Sequence, residues 1–484
     1  MTRELRRLSL IMLAMFLALF VSVSVIQVVE APALAQNPNN RRALYDSYEV
    51  QRGSIIASGS AIASSVASQD VYSWQRVYTD PQMWAPVTGY INPALGSATG
   101  IEQSMNQELS GTGSSQFLTH VEQILSGKPA RGSNVVLSLD AKVQKAAYDA
   151  LGKLQGAVVA IEPKTGRVLA MVTSPSYNTN GVATHDTGKA NTYYDSLVKN
   201  ASNPLYNRAI GGDLNPPGST FKLVVASAAL ETGRFTPQST LPNRSSYVLP
   251  QTTTTIHNDT FGTCGPGATV TIADALRLSC NIPMAELAVK LGADTIRAQA
   301  EKYGFNKSFS LPLNSTASVY PTGLDTPQTA LTGFGQGQVL ATPLQMAMVS
   351  AGIANGGVVM NPRMVDQVIG PDLSVQQTYG NTEFGRALDA PNDAEMVQMM
   401  VNNVRSGIAT NARIEGVDVA GKTGTAQNGS KPFTLWFTGF APAEDPQVAV
   451  AVVVENGGGQ GQSGTGNTIA TPIARKVIEA VLNK

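Results

Sequence analysis

Histidine, cysteine and charged residues are all scarce in this chain of 484 residues. It contains three histidines (His120, His185 and His257) and two cysteines (Cys264 and Cys280), far from the spacings of metal ligands. The shortage of histidine also disfavours a Ser-His-Asp triad, so a general base is expected among the lysines and carboxylates. We therefore expect neither a metal nor a cofactor.

Charged side chains make up 14% of the sequence, below the ~25% usual for soluble domains, and 34 basic residues balance 34 acidic ones. A balanced surface disfavours nucleic-acid binding. The apolar content of 43% is ordinary, which disfavours disorder, while 45 glycines and 27 prolines indicate many turns and loops. At about 150 residues per domain, the length indicates two or three domains.

The N-terminus carries one long uncharged stretch. Residues 8–29 contain no charged side chain, and a helix of this length spans the ~30 Å hydrocarbon core of a membrane. Arg3, Arg6 and Arg7 precede it, so the positive-inside rule predicts a cytoplasmic N-terminus with the rest of the chain outside. The alternative is a cleaved signal peptide, because Ala-Leu-Ala at 33–35 resembles a cleavage site. The length of the apolar stretch favours the uncleaved anchor.

The two cysteines, sixteen positions apart, would then lie in a compartment that permits disulfides. A bridge closing such a loop contributes roughly 3 kcal/mol. Two unconnected buried thiols are the alternative, but the absence of any other cysteine favours pairing of Cys264 with Cys280.

Regular secondary structure is predicted mainly from residue 135 onward. Residues 36–42 are predicted to form a polar stalk, and residues 43–131 an irregular, extended module. Predicted strands are 135–139, 156–161, 167–173, 417–426, 434–441 and 448–455; predicted helices are 141–154, 219–230, 272–278, 283–291, 295–302, 343–355 and 472–482. Strands at both ends of a helical centre predict one sheet built from distant segments and flanked by helices.

The first candidate catalytic motif is Ser-x-x-Lys. Ser219 follows Pro-Pro-Gly at 216–218 and begins an apolar stretch with helical spacing, so it lies where free N–H groups and the helix dipole favour an oxyanion. Lys222 lies one turn later on the same face. A lysine in an apolar, partly buried site loses its proton more easily and can act as a base. Alone, the motif fits a capping serine and an exposed lysine equally well.

Two further motifs follow. Ser279 and Asn281 lie two positions apart in a turn between helical segments, where a hydroxyl can relay a proton and an amide can hold a substrate. Lys-Thr-Gly-Thr at 422–425 continues an apolar strand; its glycine allows another backbone to approach. The hydroxyls of Thr423 and Thr425 suit a carboxylate and an extended peptide.

In this order and spacing, the three motifs are the signature of the penicillin-recognising acyl transferases. The chain resembles the class B penicillin-binding proteins, and among them the actinobacterial penicillin-binding protein A group. Further matching segments are 52–55, 137–140, 156–163, 174–178, 207–209, 335–337, 341–345 and 353–357. One departure is visible: the family usually shows an Asp-x-Asn-Gly turn where this chain has Ala-Ser-Gly-Ser at 57–60.

The resemblance implies an α+β fold of three parts. Residues 1–30 would be a cytoplasmic tip and transmembrane helix, residues 31–150 a pedestal or dimerisation-like module, and residues 151–484 the transpeptidase domain. That domain would resemble serine β-lactamases, with an antiparallel five-stranded sheet flanked by helices.

The resemblance also implies a membrane-anchored peptidoglycan D,D-transpeptidase. It assigns catalysis to Ser219, Lys222, Ser279, Asn281 and Lys422, and substrate binding to Thr423, Gly424 and Thr425. Ser219 would attack the carbonyl between the terminal D-alanines of a stem peptide, Lys222 would take its proton, and Ser279 would relay protons to the leaving amine. Backbone N–H groups of Ser219 and Thr425 would form the oxyanion hole. A disulfide through Cys280 would tether the second motif to residues 262–267.

The implied partners are peptidoglycan stem peptides, β-lactams, the cytoplasmic membrane, a glycan polymerase and division proteins, with a role in septal wall synthesis. A D,D-carboxypeptidase, which transfers to water, and a non-catalytic β-lactam-binding scaffold of the division machinery remain open alternatives. A class A β-lactamase is disfavoured because no Glu-x-x-Leu-Asn segment lies between the second and third motifs.

Overall fold

The computed structural model describes residues 2–30, 34, 49–70, 72–92, 95–113, 131–259 and 262–483. The predicted stalk at 36–42 lies outside these residues, as does His120. The α-helices are α1 Thr2–Ser24, α2 Pro81–Thr88, α3 Gly100–Ser104, α4 Asn106–Ser110, α5 Ala141–Leu151, α6 Thr179–Ala183, α7 Thr187–Val198, α8 Lys222–Glu231, α9 Ile272–Arg277, α10 Asn281–Leu291, α11 Ala293–Lys302, α12 Thr326–Thr332, α13 Pro343–Ala354, α14 Ala390–Ser406 and α15 Thr471–Leu482.

The strands are β1 Ile55–Ala57, β2 Ser60–Ala67, β3 Trp74–Tyr78, β4 Ile91–Asn92, β5 Ser97–Ala98, β6 Asn134–Leu137, β7 Gly156–Ile161, β8 Val168–Ser174, β9 Thr240–Pro242, β10 Ser246–Val248, β11 Thr255–His257, β12 Thr269–Thr271, β13 Val358–Met360, β14 Val365–Ile369, β15 Val375–Thr378, β16 Glu383–Arg386, β17 Ala420–Asn428, β18 Lys431–Ala441 and β19 Val448–Val454. Short 3₁₀ turns cover Gly218–Phe221, Thr410–Ala412 and Asn456–Gly459, and π turns cover Val25–Val29 and Gly466–Ala470.

One antiparallel sheet of five strands, in the order β17-β18-β19-β7-β8, forms the centre of the larger domain. Its middle strand, β19, is buried along its whole length, because both faces of the sheet are covered. Val450 and Val452 pack in the cluster that holds α5 and α15, whereas Ala449 and Ala451 pack in the cluster that holds α13. The predicted sheet of distant segments between helices is confirmed.

The helical side of this domain is built around α8 and α13. Every residue of α13 is buried, and in α8 all but Glu231 are buried. A helix that is apolar on all sides can only lie inside the fold. The Ser-x-x-Lys motif therefore leads into a helix that is packed on all sides.

The second sheet has six strands in the order β15-β14-β6-β1-β2-β3. Beneath it, Glu102 is fully buried between Arg52 and Arg76, with both Nε–Oε distances 2.6 Å. Burial alone would raise the pKa of Glu102, but the two guanidinium groups hold it below its ordinary value. Strands β14 and β15 come from after residue 150 and join the second sheet, whereas α5 begins before residue 150 and packs on the five-stranded sheet, so each domain takes residues from both sides of residue 150.

The Ala-Ser-Gly-Ser segment at 57–60 is a tight hairpin between β1 and β2. Ala57 pairs with Ser60, and the two residues between them have positive φ values, 48° for Ser58 and 75° for Gly59. Two positive φ values are typical of the turn that best matches the twist of a hairpin. The departure from the family pattern therefore preserves a two-residue turn.

Several predicted boundaries differ from the structure. The helix predicted over 141–154 ends at Leu151, because Gly152 leaves the helix at a φ of 55°. The strand predicted from residue 417 begins at Ala420. The helix predicted from Ser219 begins with a 3₁₀ turn instead, a difference with chemical consequences described below.

The N-terminal segment Arg3–Val29 is helical, and it is long and apolar enough to cross a membrane. By length and composition it fits a single-pass membrane anchor.

Candidate active site

The nucleophile turn, Gly218–Phe221, is a 3₁₀ helix that leads directly into α8. Side chains three residues apart eclipse each other in a 3₁₀ helix, so Lys222 lies directly beside Ser219. The distance from Lys222 Nζ to Ser219 Oγ is 2.8 Å. An α-helix starting at Ser219 would offset the two side chains.

Lys222 is completely buried, and its amine has three close polar partners. Nζ donates to the carbonyl oxygen of Ser279 (2.6 Å) and to Oδ1 of Asn281 (2.8 Å). These two oxygens can only accept, so they use both N–H bonds of a neutral amine. The lone pair is then left facing the hydroxyl of Ser219, which is the arrangement a general base requires.

Burial lowers the pKa of Lys222 to about 7, and the nearby carboxylate of Asp259 opposes this effect. Burial also holds the pKa of Lys422 well below its ordinary value, and the charge of Lys222 lowers it further. A buried ammonium loses the stabilisation of water and gains it back only from a close anion. A substantial fraction of Lys222 is therefore neutral near neutral pH.

The second motif joins α9 to α10. Ser279 has a φ of 59°, a conformation uncommon outside glycine, and both its carbonyl and its hydroxyl oxygen lie near Lys222 Nζ. Asn281 Nδ2 donates to Asp259 Oδ1 (3.0 Å) and to the His257 carbonyl (3.2 Å). Because both partners can only accept, they fix the amide with its oxygen toward Lys222.

The loop around residue 258 supports the same turn. The side-chain oxygen of Asn258 accepts from the backbone N–H groups of Asn281 (2.9 Å) and Ile282 (3.0 Å), which satisfies the first free donors of α10. Cys264 and Cys280 form a disulfide with their Cα atoms 5.8 Å apart. Covalent and polar links thus join one loop to the second motif.

The third motif lies on β17, the edge strand of the five-stranded sheet. Lys422 is completely buried, and its Nζ lies 2.7 Å from Ser279 Oγ and 3.0 Å from the Thr423 carbonyl. Thr423 is buried, whereas Thr425 is half-buried. A side chain at Gly424 would place its Cβ 2.9 Å from the Pro217 carbonyl, so this glycine lets the strand pass close to the nucleophile turn.

A fourth segment completes the support of the nucleophile. Gly218 N donates to the Gly335 carbonyl at 3.0 Å. Gly335 has a φ of 71°, and a Cβ there would lie 2.0 Å from the Gly218 carbonyl oxygen. Only glycine fits this position.

The structure brings together the candidate residues named from the sequence: Ser219, Lys222, Ser279, Asn281, Lys422, Thr423, Gly424 and Thr425. Sequence reasoning missed Asp259 and Asn258, which orient the second motif. The sequence carries no recognisable signal for them, because they are polar residues in an irregular loop whose role depends on the chain folding back over α10.

The fold and the site define a serine acyl transferase of the penicillin-recognising class. Residues 156–479 match the family described as "Penicillin binding protein transpeptidase domain", and residues 52–135 match the "Penicillin binding protein A dimerisation domain". The chain therefore belongs to the penicillin-binding protein transpeptidase family, and the resemblance to its class B members is confirmed.

Relatives are similar over the full length of the chain. "Peptidoglycan D,D-transpeptidase PbpA" of Mycolicibacterium smegmatis is 38% identical over 100% of both chains, and the protein of the same name from Mycobacterium tuberculosis is 37% identical, covering 100% of this chain and 99% of its own. The structure of penicillin-binding protein A from M. tuberculosis as a ceftriaxone acyl-enzyme complex superposes with a TM-score of 0.87 at 37% identity, covering 90% of this chain and 100% of that one.

Proposed function

We propose that this chain is a peptidoglycan D,D-transpeptidase that acts through an acyl-enzyme on Ser219. The observation that carries the residue assignment is the buried amine of Lys222, 2.8 Å from Ser219 Oγ with both its N–H bonds directed to obligate acceptors. Relatives similar over their full length carry the name of this activity. An intact set of three motifs supports catalysis over a purely structural role.

In the first half-reaction, Ser219 Oγ attacks the carbonyl carbon between the two terminal D-alanines and its proton passes to the lone pair of Lys222. The tetrahedral oxyanion would be held by the backbone N–H groups of Ser219 and Thr425, each worth roughly 3 kcal/mol in comparable sites. The C–N bond then breaks, and the leaving amine of the last D-alanine takes a proton through Ser279. An ester on Ser219 and one free D-alanine result.

In the second half-reaction, an amine from another stem peptide attacks the ester carbonyl, loses its proton to the site, and restores Ser219. Lys422 and Ser279 form the polar link at 2.7 Å along which that proton can move. Thr423, Gly424 and Thr425 would bind the donor peptide along the edge of β17, because an edge strand offers free backbone groups to an extended chain. A β-lactam would stop at the ester.

Intact-mass measurement of the full-length protein with penicillin tests the nucleophile. We expect one stable adduct on the wild type and none on Ser219→Ala, with Ser315→Ala as a matched buried-serine control that keeps the adduct. A wild type that forms no adduct would overturn the catalytic assignment in favour of a scaffold, and rapid turnover of the drug would indicate a lactamase.

Product analysis with a stem-peptide donor then separates the two transfer reactions. A cross-linked dimer that accumulates as an amine acceptor is added supports the transpeptidase. Release of D-alanine without dimer, at any acceptor concentration, would make the protein a D,D-carboxypeptidase.

We further propose that the chain has three parts, with boundaries near residues 30 and 150, and that its catalytic domain lies outside the cytoplasmic membrane. We also propose that the protein works with a glycan polymerase and division proteins at the septum. Arg3, Arg6 and Arg7 before the apolar helix support this orientation. Protease added to right-side-out vesicles should digest the catalytic domain, and inside-out vesicles should protect it. Septal loss of a fluorescent D-amino acid label on depletion of the protein would support the division role; loss along the side wall would contradict it.

A further inference from the structure

A carboxylate that is largely shielded from solvent lies behind the nucleophile turn and has no role in the mechanism proposed for Ser219. Glu455 follows the last residue of β19, and its side chain is only 13% exposed. One oxygen, Oε2, accepts from Gln155 Nε2 (2.6 Å) and Arg208 Nε (3.3 Å). The other, Oε1, accepts from Asn215 Nδ2 at 3.2 Å.

Asn215 is the residue that brings this carboxylate close to the chemistry, because it stands four positions before Ser219. Its side-chain oxygen accepts from Thr434 Oγ1 on β18 (3.3 Å), and its carbonyl accepts from Ala341 N (2.8 Å). The next residue is held as well: Trp436 Nε1 donates to the Pro216 carbonyl at 2.9 Å. The segment entering the turn is therefore clamped to the sheet on several sides.

Arg208 forms the ion pair that holds the carboxylate of Glu455. It is 4% exposed, and its guanidinium also donates to the carbonyls of Asn203 (3.1 Å) and Ser202 (2.6 Å). Arg208 is the central residue of the Asn-Arg-Ala segment at 207–209, to which the mechanism assigns no role. A buried guanidinium needs an anion, so the ion pair with Arg208 fixes the carboxylate of Glu455 in position, with Oε1 accepting from Asn215.

We infer that Glu455 is a positioning residue for acylation: held by Arg208, it fixes Asn215 and thereby the angle at which the 3₁₀ turn presents Ser219 to Lys222. This rests on Ser219 being the nucleophile. A hydroxyl displaced by a fraction of an ångström loses its alignment with both the base and the substrate carbonyl. The side-chain partners of Glu455 are Gln155, Arg208 and Asn215, which lie outside the substrate-binding strand at residues 423–425. Loss of Glu455 therefore acts on the rate of bond formation rather than on the affinity for the substrate.

Stopped-flow acylation of the full-length protein by a fluorescent penicillin, resolved into a dissociation constant and a rate of acylation, tests this. We expect Asn215→Ala, which leaves the Glu455–Arg208 pair intact, to lower the acylation rate by about 10-fold or more while the dissociation constant changes less than about 3-fold. Glu455→Ala should do the same, and so should Glu455→Gln, because an amide whose oxygen faces Asn215 places its NH2 group against the donors of Gln155 and Arg208. The exposed Glu444→Ala serves as the matched control.

The acylation rate of the double variant Asn215→Ala/Glu455→Ala tests whether Glu455 acts through Asn215, and the melting temperatures of the single variants detect a loss of folding. If Glu455 acts through Asn215, the double variant is acylated no more slowly than the slower single variant. Losses of rate that multiply would overturn the inference, as would single variants that lower the melting temperature but keep the wild-type acylation rate. Absence of Ser219-dependent acylation in the wild type would instead overturn the proposed function, and the inference with it.

Discussion

Lys222 and Lys422 are both completely buried, and their amine nitrogens meet at one hydroxyl: Ser279 Oγ lies 3.4 Å from the first and 2.7 Å from the second. Two ammonium groups at this separation in a water-poor site would repel strongly. The pair therefore titrates as a coupled unit, and Lys222 can act as a base only after its own amine has lost its proton.

This pairing predicts an acid limb in the pH profile of acylation. The pKa of Lys222 is lowered to about 7, and only the neutral amine can take the proton of Ser219. The acylation rate should therefore rise as pH increases through about 7 and level off above it. A rate that stays constant from about pH 5 to pH 9 would contradict Lys222 as the base.

Replacing Lys222 should lower the acylation rate without unfolding the protein. Lys222→Met keeps an unbranched apolar stem in a fully buried position and removes the amine. Loss of a general base lowers the acylation rate by about 10²- to 10⁴-fold, so the adduct should form slowly or not at all on the time scale of the wild type. Lys290→Met, on an exposed side chain of α10, is the control and should keep the wild-type rate.

Asp259 should set the position of the acid limb. Its carboxylate raises the pKa of both Lys222 and Lys422 against the larger effect of burial. Asp259→Asn removes the charge and keeps an oxygen for Asn281 Nδ2, so the acid limb should move to lower pH. A limb that stays in place or moves to higher pH would contradict this; Asp372→Asn, on an exposed aspartate between β14 and β15, serves as the control.

The disulfide should stabilise the second motif through the loop it closes. Cys264 and Cys280 are sixteen positions apart, and closing a loop of this length contributes roughly 3 kcal/mol. The double variant Cys264→Ser/Cys280→Ser should unfold at lower denaturant concentration than the wild type and be insensitive to reductant. A wild type whose unfolding is equally insensitive to reductant would show that the bridge contributes nothing.

Gly335→Ala should disable the nucleophile turn, because its Cβ would lie 2.0 Å from the Gly218 carbonyl. Gly323→Ala is a matched control: its φ of 68° imposes nearly the same backbone strain, but a Cβ there meets nothing within 4 Å. We expect acylation by penicillin to be lost in the first variant and kept in the second. Equal rates in both would mean that the close contact with Gly218 does not position Ser219.

The nature of the site could be predicted from the sequence because its chemistry is local. Ser219 and Lys222 are one helical turn apart, and Ser279 and Asn281 flank a single residue. Lys422 is followed directly by the three substrate-binding residues at 423–425. Each motif also contains or adjoins residues that predict its backbone conformation. Proline and glycine precede the nucleophile in the first motif, the second motif lies in a turn before Pro283, and the third has a glycine within a strand. The sheet of distant segments followed from apolar periodicity at both ends of the domain.

The supporting residues could not be predicted in this way. Asp259, Asn215, Gly335 and Glu455 have ordinary sequence neighbourhoods, and each acts on a motif from another part of the chain. The 3₁₀ geometry of the nucleophile turn was also invisible, because proline, glycine and serine begin an α-helix and a 3₁₀ helix equally well.

The sequence by itself identified the candidate reacting groups, since the identity and order of three short motifs specify a serine, two lysines and a strand suited to binding a peptide. Only the tertiary structure supports Lys222 as the base, because complete burial lowers its pKa and the acceptors for its two N–H bonds come from residues 57 and 59 positions away. Burial and long-range contacts are properties of the folded chain, and no local pattern encodes them.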